Sequence, residues 1–238
     1  MSRQPRPTAR AREGNKATRK PARDTWPPRP SRVRAILNEI DRLYPAADCE
    51  LDRADAFQLL CATILSAQCT DARVNKVTPD LFARFPTPAA MSKAQPSVVE
   101  NLIRSTGFFR NKAKHLIGAA RMLVEKWGGQ VPRSMDELLQ LPGVARKTAN
   151  VVLGTAYKIA DGVVVDTHVG RLSRRLALTR STTPEKIERD LMEIIPRERW
   201  ILLSHQMIWH GRRICHAHKP ACDVCPVAPH CPSAFHET

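Results

Sequence analysis

Four of the seven cysteines, Cys215, Cys222, Cys225 and Cys231, crowd into the last two dozen residues, with six, two and five residues between successive members. The other three, Cys49, Cys61 and Cys69, are scattered. An odd total in a chain without a secretory signal argues against a disulfide framework, and the tight cluster argues for metal. Proline follows both Cys225 and Cys231. Four thiolates on a compact loop hold either tetrahedral zinc or a cubane iron–sulfur cluster, and the spacing alone leaves the two open. Arg212, Arg213, His216, His218 and Lys219 surround the cluster, so its loop also presents positive charge.

That charge is general. Thirty-eight basic residues against 23 acidic ones leave a net charge of +15, which makes a polyanion, nucleic acid before membrane, the first expected partner. No apolar stretch approaches the roughly 18 residues of a transmembrane helix, and the N-terminus lacks the apolar segment of a secretory signal. A soluble cytoplasmic monomer, nucleoid-associated in a bacterium, is expected. Residues 1 to about 31 carry nine basic side chains against Glu13 and Asp24, with prolines at 5, 7, 21, 27, 28 and 30. This stretch is expected to be a disordered basic tail that raises affinity for a phosphate backbone or serves solubility. Its prolines disfavour the amphipathic helix of a transit peptide.

From Val33 onward the apolar spacing is helical. Val33, Ile36, Leu37, Ile40 and Leu43 form one stripe, and Phe57, Leu60, Cys61, Ile64, Leu65 and Gln68 the next. Another runs through Leu116, Ile117, Ala120, Leu123, Val124 and Trp127 to a stop at Gly128-Gly129. Ser134 and Glu137 form a capping box opening a short helix that ends at Pro142-Gly143, and Thr183-Pro184 opens another running toward Pro196. Val163–Val165, the one strand-like run, is too short to found a sheet. The fold class expected is all-α.

The segment Leu141-Pro142-Gly143-Val144-Ala145-Arg146-Lys147-Thr148-Ala149 reads as a tight hairpin between two helices, with Gly143 free to take a positive φ. Amides at the turn and the following helix start lack intrahelical partners and form a nest for a phosphate, without reading base sequence. Lys147 falls in the first helical turn, where the macrodipole and Arg146 disfavour the ammonium form. A neutral amine beside a DNA backbone attacks sugar C1′ to give a Schiff base, although a lysine in a basic chain is ordinarily a surface charge. Asp166, in Val165-Asp166-Thr167-His168, suits a helix N-cap. A carboxylate there also stabilises an oxocarbenium-like sugar, or takes a proton from Lys147 or a water.

Taken together, these residues resemble the endonuclease III family of bifunctional DNA glycosylase/AP lyases, within the helix-hairpin-helix superfamily, across about residues 33 to 233. The resemblance is carried by Leu65-Ser66-Ala67-Gln68, the LPGVARKTA hairpin, Val165-Asp166-Thr167-His168, His210-Gly211-Arg212 and the 6-2-5 cysteine spacing. It implies a [4Fe-4S] cluster on Cys215, Cys222, Cys225 and Cys231, Lys147 as Schiff-base nucleophile and Asp166 as catalytic aspartate. It also implies a six-helix barrel with the hairpin over 49–160, and a discontinuous cluster domain of 32–48 and 161–238. The damaged base is expected to flip into the cleft between them. By the same resemblance Gln68 fills the gap left by the flipped nucleotide and Phe108 wedges against the opposite strand. Gly143, Ala145 and Arg146 are the expected phosphate contacts of the hairpin.

Three positions depart from the family pattern. Ala145 stands where a second glycine is common, so a strained positive φ is expected there. Phe108 replaces a leucine at the wedge and offers a stacking surface. Leu139 stands where some relatives carry an acid, and a drier pocket is expected. The function implied is removal of oxidised pyrimidines from duplex DNA, with cleavage 3′ to the abasic site by β-elimination. Two alternatives are a monofunctional glycosylase of the adenine-mismatch type, against which Lys147 counts, and a non-catalytic DNA-binding protein organised by zinc.

Overall fold

The computed structural model describes residues 26–236. Among them there are eleven α-helices and no strand: α1 (Pro30–Leu43), α2 (Ala56–Leu65), α3 (Asp71–Arg84), α4 (Pro88–Ser92), α5 (Pro96–Ile103), α6 (Phe109–Trp127), α7 (Met135–Leu138), α8 (Arg146–Tyr157), α9 (Thr167–Arg175), α10 (Pro184–Ile194) and α11 (Trp200–Arg213). The all-α class and the helix-hairpin-helix are present. Most of the basic tail lies outside the described residues. Pro30 opens α1, its fixed φ and missing N–H suiting a helix's first position.

Two separate apolar cores organise the chain. Leu60, Leu65, Val74, Leu81, Met91, Ile103, Leu116, Leu123, Leu138 and Leu153 belong to one, drawn from α2 through α8. Ile36, Ile40, Val163, Leu172, Ile187, Leu191, Leu203 and Met207 belong to the other, drawn from α1 and from the chain after Val163. The two ends of the chain thus share a core. Each fully buried leucine or isoleucine stabilises by about 1.5–3 kcal/mol, so neither group of helices is held by propensity alone. Leu59 of α2, Val151 of α8 and Val164 pack as a small third cluster.

Helix α2 is apolar nearly all round, every residue from Leu59 to Leu65 being buried, which makes it the axial helix of its core. It stops at Leu65, so Gln68 sits three residues beyond it rather than on its stripe. Helix α6 ends as expected on Gly128, whose left-handed φ of 58° turns the Gly129 N–H back to the Leu123 carbonyl at 2.9 Å. Val124 is exposed and lies off the buried face of α6. The capping box at α7 is altered: Ser134 Oγ receives the Glu137 N–H, but the Glu137 carboxylate accepts from the Ser134 hydroxyl and the Trp127 indole. No described helix is long and apolar enough to cross a membrane.

Candidate active site

The hairpin joins α7 to α8 by a sharp reversal at Gly143, whose φ is +79°. A Cβ there would come within 2.8 Å of the His115 side chain, so glycine is required both by the backbone and by the neighbour. The strain expected at Ala145 is absent. Its φ of −99° and ψ of 172° are ordinary extended values, because all the reversal is absorbed at Gly143 and Ala145 serves as N-cap of α8. Ala145 offers no side chain to the first amides of α8, which have no side-chain cap. That end of the helix therefore presents N–H groups to whatever binds there.

Lys147 follows in the first turn of α8 and is exposed. Among the described residues, none holds its ammonium in a hydrogen bond or an ion pair. Asp166 is the N-cap of α9, one carboxylate oxygen accepting the Val169 N–H at 2.8 Å. Lys147 and Asp166 line the same open cleft, about 1740 Å³ including the solvent at its mouth, together with Gln68, Cys69, His168 and Arg212. One wall thus comes from each core: α8 and the loop after α2 on one side, α9 and α11 on the other.

The remaining predicted contacts are spread around this cleft. Gln68 is exposed at its edge with φ +52°. Phe108 is not among the lining residues; it projects from the turn before α6, 66% exposed, with φ +47°. Arg146 turns toward α10, where its Nε donates to the buried Glu188 carboxylate at 2.7 Å. Glu188 also accepts from Asn150 Nδ2 at 2.8 Å. A Cβ at Gly162 would lie 1.9 Å from that carboxylate, so a glycine gives it room. Leu139 corrects an expectation: it is an exposed C-cap of α7 and lines no part of the cleft, because α7 ends at Leu138 and the next residue turns outward. The substitution does not dry the pocket.

Arg212 closes the floor of the cleft by pairing with Glu50 and, at 2.7 Å, with Asp71 at the start of α3. Gly211 beside it lets α11 approach α9, since a Cβ would meet His168 Cβ at 2.9 Å. Arg171 donates to the Gly211 and Cys215 carbonyls at 2.9 and 2.8 Å. Burial, opposed by Asp166 and reinforced by Arg171 and Arg212, lowers the pKa of His168. Glu188, Asn150 and Gly162 carry no signal in the sequence, because each acts through a partner far along the chain, whereas Gly211 falls within the quoted His210-Gly211-Arg212 motif.

The four C-terminal cysteines ring a second, largely apolar cavity lined also by Leu172, Leu176, Ile214 and Val227. Their thiols are unpaired by disulfides. Arg175 donates to Cys215 Sγ at 3.3 Å, and His210 Nε2 lies 3.5 Å from Cys225 Sγ while its Nδ1 faces the Tyr44 hydroxyl. Burial, opposed by the Ser233 main-chain N–H and reinforced by the other cysteines, pushes the Cys231 thiol up to about 11. Among the described residues, no three Cys, His, Asp or Glu side chains converge on a point where a single ion would sit. Zinc bonds of about 2.3 Å would draw four sulfurs to roughly 3.8 Å from one another.

Residues 61–197 match the model of the HhH-GPD superfamily base excision DNA repair proteins. The endonuclease III of Synechocystis is 57% identical over 203 residues, covering 85% of this chain and 93% of the relative. The chain belongs to the endonuclease III family. Two solved endonuclease III structures superpose with TM-scores of 0.81, each covering 85% of this chain and 95% of its own. One, 45% identical, is a non-covalent complex with DNA; the other, 44% identical, is a trapped covalent intermediate with DNA. The matched residues 61–197 include Gln68, Lys147 and Asp166, and the four C-terminal cysteines follow them.

Proposed function

We propose that this chain is a bifunctional DNA glycosylase and AP lyase of base excision repair, acting on oxidised pyrimidines in duplex DNA with Lys147 as its nucleophile. One observation carries the assignment of residues: Lys147 and Asp166, from different cores, face one cleft, and Lys147 is unpartnered at the uncapped start of a helix. Positive charge at that helix end favours a phosphate. The trapped endonuclease III–DNA intermediate supports covalent chemistry in a relative 44% identical.

The chemistry follows from these groups. Asp166 has an oxygen beyond the one held by Val169, and it takes the proton from Lys147 and stands beside the positive charge that develops at the sugar. The neutral Lys147 amine forms a bond to C1′ as the bond from C1′ to the base breaks; the base leaves with its electron pair and takes the proton that Asp166 held, and opening of the C1′–O4′ bond, with the proton from the attacking nitrogen passing to O4′, gives a Schiff base. The resulting Schiff base acidifies the C2′ hydrogen, whose loss expels the 3′ phosphate by β-elimination. Gln68 and Phe108 enter the duplex, where inserted side chains offset unstacking. The amides at Gly143, Ala145 and Arg146 grip a phosphate, and Arg146 keeps its terminal nitrogens for it while Nε is on Glu188.

The division into a barrel of 49–160 and a cluster domain of 32–48 and 161–238 is supported by the two cores. Cys215, Cys222, Cys225 and Cys231 are read as the ligands of a [4Fe-4S] cluster. Four soft thiols around one cavity suit either a cubane iron–sulfur core or zinc, and the family resemblance favours the cluster. When bound, that cluster supplies a cross-link between the C-terminal loop and the second core; Arg175 and His210 offer hydrogen bonds to its sulfurs. The enzyme is read as a cytoplasmic monomer on DNA.

Borohydride trapping on duplexes carrying thymine glycol or an abasic site tests the assignment. Wild type is expected to yield a covalent adduct on both, and Lys147→Ala on neither. Base release by wild type without trapping would move the reading to a monofunctional glycosylase, and an adduct that persists in Lys147→Ala would remove Lys147 from its role.

A further inference from the structure

Lys112 is buried, 4% exposed, in the first turns of α6. A lysine so placed ordinarily pairs with a carboxylate. Here the ammonium instead donates at 2.8 Å to the Leu65 carbonyl and at 2.8 Å to the Thr106 carbonyl. Leu65 is the last residue of α2, so its carbonyl belongs to the unpaired, negative end of that helix. Thr106 lies in the turn before α6, its own hydroxyl bonded to the Ile103 carbonyl at 2.8 Å. Burial lowers the Lys112 pKa, opposed by nearby Cys69, which lines the cleft. Two main-chain acceptors at hydrogen-bonding distance give this group a fixed place.

Each of the two carbonyls stands at the root of a short exposed segment. Three residues after Leu65 comes Gln68, exposed, with φ +52°; two residues after Thr106 comes Phe108, exposed, with φ +47°. Both are non-glycine residues in left-handed backbone, a conformation that persists where surrounding structure over-determines it. Both are the residues assigned above to insertion into DNA. One buried cation therefore ties together the roots of the two loops that carry them.

We propose that Lys112 is a positioning residue that couples Gln68 and Phe108 into a single rigid fork, so that gap filling and opposite-strand wedging occur in register. The proposal rests on the insertion roles given to those two residues. A rigid fork lowers the ordering that flipping must impose on the protein, and the gain is confined to duplex substrates. Cleavage of an abasic site in single-stranded DNA, which needs no wedge and fills no gap, is independent of it.

Lys112→Met keeps the length of the side chain and removes its donors. In single-turnover assays on a thymine glycol duplex, Lys112→Met is expected to lose tenfold or more in excision rate, with lyase activity on single-stranded abasic DNA kept within twofold. Lys112→Arg, which keeps a cation and donors, is expected to recover most of the duplex rate. Gln68→Ala and Phe108→Ala are each expected to slow duplex excision in the wild-type background, and to add twofold or less in the Lys112→Met background. Should Lys112→Met not fold, Lys112→Gln carries the same comparison. An unchanged duplex rate, or an equal fall on both substrates, overturns the brace while leaving the insertion roles intact. If instead Gln68→Ala and Phe108→Ala leave the duplex rate untouched, the insertion roles fall and the fork with them.

Discussion

Gly143 concentrates the demands of the hairpin in one residue. Its backbone is left-handed and its Cα faces His115 with no room for a methyl group. Gly143→Ala should therefore cost about 2 kcal/mol, the left-handed penalty with a contact added, and lower Tm by roughly 5 °C. Because the reversal also aims the amides of α8, duplex binding should weaken about tenfold in the same variant, a change of about 1.4 kcal/mol. A thermal melt and a fluorescence anisotropy titration on an abasic duplex check the two numbers. Ala145 next to it behaves in the opposite way: in extended backbone a methyl is harmless, and only the N–H is used.

At the scale of elements, α9 starts on Asp166, which caps the helix and faces the cleft at once. The two roles separate by substitution. Asp166→Ala removes the acceptor of the Val169 N–H and should cost about 1 kcal/mol of stability. Asp166→Asn retains a capping oxygen and should melt within a few tenths of a kcal/mol of wild type. Both are expected to lose excision by at least about a hundredfold, the scale of a general base or a charge stabiliser. Calorimetry beside single-turnover kinetics resolves this, and an active Asp166→Asn would reduce the residue to a cap. Helix α11 shows a different economy, its buried face carrying Ser204, His205, Gln206 and His210. Ser204 accepts the Val164 N–H at 3.0 Å, and Gln206 donates to Asp41 and to the Tyr44 carbonyl at 3.0 and 3.1 Å.

Over the whole molecule, a net charge of +15 sets how the protein meets DNA before any lesion is found. Binding to undamaged duplex should fall by roughly a thousandfold between 50 and 200 mM salt, as for about six neutralised phosphates. Eight of the basic residues, Arg3, Arg6, Arg10, Arg12, Lys16, Arg19, Lys20 and Arg23, lie in the first 25 residues. A chain starting at Asp24 should show a shallower salt slope and an unchanged excision rate at saturating DNA. Equal slopes for the two chains, measured by anisotropy, would assign those residues to solubility alone. The cleft itself depends on both cores, and Arg212 holds them across its floor through Glu50 and Asp71.

What could be read from the sequence was local. Helical stripes, the proline and threonine at the start of α10, the glycine stop of α6, the positive φ of Gly143, the cap at Asp166 and the place of Lys147 in its first turn all depend on neighbours within about four residues. Helix α3 escaped notice because Pro79 interrupts its pattern, and α11 because its buried polar side chains read as surface until their partners are known. Only the tertiary structure decided that Lys147 and Asp166 share a cleft, that Arg146 leans on Glu188, and that Lys112 holds the ends of two loops. Each of those is a contact between groups far apart in the chain, whose energy appears once the two cores have closed the intervening loops.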